Sequence, residues 1–168
     1  MTTPEWAQAL AYWIHMVATV VWIGSLAALA LLVLPSIDKA LNHESKAVLL
    51  EQIQHRLDPL AWFSLAVLVG TGLIQMSANP NYEGFLNIGN RWSVAILVKH
   101  LVIGGMVIVS AVITWGILPS LRRSALRIAR GMESPELDSL RRRNKMMIRI
   151  NLVLAVVVLG LTAVARIS

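Results

Sequence analysis

Charge is absent from the sequence between Glu5 and Asp38, and inside that interval the chain reads ALAYWIHMVATVVWIGSLAALALLVLP from Ala9 to Pro35. Crossing a bilayer as a helix takes about 20 mostly apolar residues, which this run exceeds. Three further charge-poor windows follow: Pro59 to Tyr82, Trp92 to Leu121 broken only by Lys99 and His100, and Ile150 to Ala165. The last is short, but Met146, Met147 and Ile148 extend it, and the aliphatic stem of Arg149 lets its charge reach the headgroups. The pattern predicts helices at roughly 9–34, 59–78, 92–118 and 146–166. The fold class is therefore an all-α membrane protein, a four-transmembrane-helix up-down bundle.

Orientation follows from the connections. Segment 36–58 carries Lys39, Lys46 and Arg56, and segment 119–149 carries Arg122, Arg123, Arg127, Arg130, Arg141, Arg142, Arg143, Lys145 and Arg149. The other side has only Arg91 and Arg166. The positive-inside rule then places both long connections, including the basic loop 119–149, in the cytoplasm, and both termini and the Asn79 to Arg91 loop outside. The expected location is the inner (plasma) membrane. In KAVLLEQIQHRL, Val48, Leu49, Ile53 and Leu57 stand near helical spacing, so the second helix is expected to begin before the membrane and bend near Pro59. Ser134-Pro135-Glu136 has the form of a helix start. Trp6, Trp13 and Trp92 toward one face and Trp62 and Trp115 toward the other suit an aromatic belt.

Composition narrows the class further. Of 168 residues, 57% are hydrophobic and 14% charged, so residues 1–168 are read as one transmembrane domain with no separate soluble module. The net charge of +6 gathers between two spans, which points to topology and contact with anionic lipid rather than to nucleic acid. Cysteine is absent, which removes disulfides, thiolate ligands and cysteine nucleophiles. The opening MTTPEW lacks the basic region of a signal peptide, so the first helix is expected to be retained. The chain is read as having no internal repeat.

The candidate chemistry lies inside the spans. An imidazole within hydrocarbon marks a functional site by default. At about 1.5 Å rise per residue, His15 lies roughly 9 Å and His100 roughly 12 Å below the outer ends of their helices. In an up-down bundle the first and third helices are diagonal. Two level imidazoles there suit axial ligation of a b-type haem iron. Gly72, Gly160 and Gly104 would admit a flat macrocycle, although small residues also serve close helix packing. Trp22 stands seven residues from His15 on the same face; core packing is its default reading, and lining a cofactor cavity the sharper one. Lys99 requires an exit to the headgroups, a substrate or propionate carboxylate, or a bond to Thr71 or Gln75. Arg91 is a membrane-interface anchor or a propionate partner. Copper is the competing ligand: imidazole suits it and thioether selects the cuprous ion, which gives a site of His15, His100 and Met76. His43 and His55 read as solvated surface residues. Hydrolysis and phosphoryl transfer find no motif in the spans.

These residues resemble the CopD copper-resistance family through IHMVATVVWIGSL around His15, the Arg56-Leu57 start and the Thr71-Gly72-Leu73 of the second helix, and Leu97-Val98-Lys99 of the third. The chain is also similar to the HemJ type of protoporphyrinogen oxidase, which has a histidine seven residues before a tryptophan and a lysine in the third helix. The histidine that type carries later in the third helix is missing here, and His100 stands beside the lysine instead. The resemblance implies copper handling on one side and haem b or porphyrin chemistry, with Lys99 catalytic, on the other. A structural accessory subunit of a larger membrane complex is a third expectation. Expected partners are lipids, a redox partner or larger complex, and a second copy of the chain.

Overall fold

Proline interrupts two of the four apolar runs near the same end, and the backbone answers in the same way both times. In the computed structural model, which describes residues 4–40, 43–80, 82, 84, 89 and 91–167, α1 (Glu5–Ala28) widens into a π-helical segment, Leu29–Val33, before α2 (Leu34–Ala40) carries Pro35. Likewise α4 (Arg91–Ala111) widens at Val112–Ile117 before α5 (Leu118–Ala129), which carries Pro119. Proline lacks an N–H and crowds the carbonyl four residues back, and a wide turn relieves both faults without ending the helix. The other two spans are uninterrupted: α3 (His43–Ser77), which keeps Pro59 inside it, and α6 (Leu137–Ile167).

Four helices are thus long and apolar enough to cross a membrane among the described residues, and the chain is a multi-pass membrane protein. The helices outrun the apolar windows that announce them, because each continues into polar sequence at the end bearing the basic segments, here called the basic end. Leu137 opens α6 one turn after Ser134, whose carbonyl accepts the Leu137 N–H at 3.2 Å. Most of the Asn79 to Arg91 loop, and the side chain of His43, lie outside the described residues.

The first and third spans carry a repeat that residue identities conceal. Leu34-Pro35-Ser36 recurs as Leu118-Pro119-Ser120. Measured from these prolines, buried positions coincide: Ala11 with Ala95, Trp22 with Met106, Leu29 with Ile113, Ile37 with Leu121. His15 occupies the same place in its span that Lys99 occupies in the other. The position of burial, not residue identity, is what the two spans share.

The first span packs most densely on α3 and α4 most densely on α6, giving two helical hairpins. The hairpins meet through α5 against α3 and through the first span against α6, so the first and third spans are diagonal. Along α6 the buried residues Asn144, Ile148, Asn151, Ala155 and Val158 alternate four and three apart, with Leu137 seven residues before them, the seam of a bundle helix. One core cluster lies at the basic end around Leu34, Leu50, Ile117 and Ile148, and a second lies at mid-height around Trp22, Leu65, Met106 and Ala155. Beyond mid-height no third cluster forms among the described residues.

Some surface expectations need correction. Val48 and Leu49 are exposed, and the buried face of early α3 is Leu50 and Gln54. The phase is displaced because a glutamine has its partner inside the bundle. Trp6, Trp13 and Trp115 are exposed as a belt requires, whereas Trp92 is buried. Trp62 stacks on Trp115, their ring centroids 5.2 Å apart.

Candidate functional site

Three spans bring polar residues to the end opposite the basic one, and His15 on α1 is the best defined of them. Its ring lies half-buried against α3, with Nδ1 2.8 Å from the Thr71 hydroxyl. That hydroxyl in turn donates to the Val67 carbonyl at 2.7 Å. With the hydroxyl proton given to Val67, Thr71 receives the Nδ1–H of a neutral His15. This pairing favours the tautomer with its lone pair on Nε2, the nitrogen available to a metal or a proton. The antiparallel register is held one turn on, where the Gln75 amide donates to the Ala11 carbonyl at 3.3 Å. Thr19 caps the His15 carbonyl at 2.8 Å.

Gly72 acts here at close range. A Cβ on it would stand 3.6 Å from His15 Cε1, so the room that glycine makes is occupied by the imidazole rather than kept for a macrocycle. At Gly104 and Gly160 an added Cβ meets nothing within 4 Å. Both of these residues are exposed, so nothing encloses that space.

His100 has different surroundings. It is exposed on α4, and its Nδ1 donates to the Ile96 carbonyl of its own helix at 2.7 Å. The same argument applies to it: an Nδ1–H given to a carbonyl leaves the lone pair on Nε2 in the neutral ring. Lys99 is half-buried and close enough to His15 to act on it electrostatically. Of the partners suggested for its ammonium, Thr71 bonds to His15, and Gln75 gives its amide N–H to Ala11. Met76 is half-buried one turn beyond Gly72, and Arg91 is exposed at the start of α4. Trp22 is buried in the mid-height core, its default reading. His55 is exposed. No group of three or more His, Cys, Asp or Glu residues that could hold a metal forms among the described residues.

Sequence reasoning named Thr71 as a partner for Lys99 and within the Thr71-Gly72-Leu73 motif; its link to His15 needed the register of two helices. A second polar set was missed outright. Asn144 is fully buried and donates to Gln54 Oε1 at 3.1 Å, and Asn151 donates to Ser110 Oγ at 2.9 Å. The signal was two asparagines seven residues apart in the fourth span, hence on one face.

Comparison with curated proteins gives no match, and comparison with solved structures gives none. The family model described as Copper resistance protein D matches residues 51–165. The match takes in α3 through nearly all of α6, and with it Thr71, Gly72, Met76, Lys99 and His100; His15 precedes it. The chain belongs to the CopD family.

Proposed function

We propose that this protein handles copper at a site in the outer half of an inner-membrane bundle, with His15 Nε2 as the leading ligand. His100 supplies a second imidazole and Met76 a thioether that favours the cuprous ion. The observation that carries the reading is the chain from Val67 through Thr71 to His15, because metal-bound histidines characteristically give their other N–H to such an outer partner. Family membership supports copper as the substrate. Orientation follows the basic residues, which put the site on the extracytoplasmic side. At the opposite end Arg142, Lys145 and Arg149 line an open groove with Ile150 and Val153, a surface suited to an anionic headgroup and its acyl chain.

A second reading has its own support: both imidazoles keep their lone pair on Nε2, and they stand on diagonal spans. His15 and His100 would then hold a b-type haem with Arg91 toward a propionate, and the group would supply one-electron transfer to a redox partner. Purified protein decides between them. Copper near one equivalent by elemental analysis, lost in His15→Ala, supports the first reading; a Soret band lost in both His15→Ala and His100→Ala supports the second. Protein that binds neither metal rejects both and leaves the accessory-subunit expectation.

A further inference from the structure

All four spans contribute to a cavity of about 70 Å³ between mid-height and the basic end. Its polar lining is Ser25, Gln54, Asp58, Ser110, Thr114 and Asn151, with Trp22 the lining residue nearest His15 along α1. Pairing among these polar groups leaves an acceptor over. Asn151 is 3% exposed, and with its amide N–H given to Ser110, its Oδ1 has no hydrogen-bond partner among the described residues. Asn144 Oδ1, beside Gln54, is left in the same condition. A buried amide oxygen without a partner is costly, so such atoms usually face a water or an ion.

The donor chemistry selects the occupant. Thr114 bonds to the Asp58 carboxylate, and Trp62 Nε1 approaches Thr114 Oγ1 at 3.5 Å. Among the described residues no histidine or methionine lines the cavity, and a set of carboxylate, amide and hydroxyl oxygens suits hard cations rather than copper. Asp58 is the only charged residue in the lining among the described residues, so a monovalent ion is neutralised there while a divalent one would keep an uncompensated charge. The volume matches about two water molecules at roughly 30 Å³ each, which is room for a small ion with one water. We infer that this cavity is a sodium-ion site, separate from the outer histidine site and independent of the metal bound there.

The test uses the full chain in detergent at pH 8 and follows unfolding by tryptophan fluorescence. Sodium chloride is compared with potassium and choline chloride at equal ionic strength. The expected result is a saturable rise in midpoint of about 3–6 °C at a tenfold excess of sodium over its Kd, absent in choline. Asp58→Asn abolishes the rise, and His15→Ala keeps it. If Asp58→Asn does not fold, the milder Ser110→Ala is expected to weaken the sodium response at least threefold, alongside direct binding of radioactive sodium to the unaltered protein. Equal midpoints in the three salts would mean that only water fills the cavity and would overturn the inference. A sodium response surviving both Asp58→Asn and Ser110→Ala would overturn it equally.

Discussion

Thr71→Val is the sharpest perturbation of the proposed copper site, because it keeps the shape of a residue that touches no metal and deletes one hydroxyl. In the folded protein that oxygen accepts Nδ1–H of His15 over 2.8 Å. Its own donated bond goes to the Val67 carbonyl, which keeps its helical N–H partner from residue 71, so little is lost on that side. The imidazole then has two outcomes. Either Nδ1–H stays buried without an acceptor, at about 1–3 kcal/mol, or the proton moves to Nε2 and blocks the ligating nitrogen. Outer partners of metal-bound histidines are worth about 10–100-fold in affinity, or about 1.4–2.7 kcal/mol. Competition against a chromophoric cuprous chelator should therefore show Thr71→Val weakened by that factor, with Thr71→Ser close to the parent. Unchanged affinity in Thr71→Val, beside a His15→Ala variant that has lost the metal, would refute the tautomer argument. So would equal losses in Thr71→Val and Thr71→Ser, since the hydroxyl would then be irrelevant.

Gly72→Ala should leave copper affinity within about threefold, because the new methyl meets His15 at ordinary contact distance; Gly72→Leu should push the ring aside and weaken binding more than tenfold, and equal behaviour of the two would show that the ring does not rest on this position. Removing one side of the buried amide pair, by Asn144→Leu or Gln54→Leu, should cost about 1–3 kcal/mol each in unfolding free energy. The double variant should lose less than the sum, whereas additivity within about 0.5 kcal/mol would show the two to be uncoupled. The chain has no native cysteine, so single cysteines report orientation directly: Pro80→Cys should react with an impermeant maleimide in intact cells and Met132→Cys only after permeabilisation, and the reverse would invert the topology.

The four spans were legible because lipid permits only helices with their backbone bonded internally, and charge marks where each run ends. The positions of the ends were less legible. The segments around Gln54, Arg122 and Arg141 are polar in composition yet helical, because their carbon stems and buried amides pack at the basic end. His15 was conspicuous as an isolated polar group in an apolar run. Its partner was not, since Thr71 looks like any other hydroxyl until α1 and α3 are set in register. The inner cavity was the least visible, since Asp58 and Gln54 read as connection and Ser110 and Thr114 as incidental hydroxyls. Only the meeting of four helices gives them a common purpose.

The wide turns at Leu29–Val33 and Val112–Ile117 bear on motion. Both diagonal spans carry such a joint and both of their neighbours lack one, so the segments bearing His15 and Lys99 can swing as levers while the basic-end core stays clamped. Amide exchange should be faster in those two turns than at the same height in α3 and α6, and a guest would enter the outer half by tilting two levers rather than by prying four helices apart.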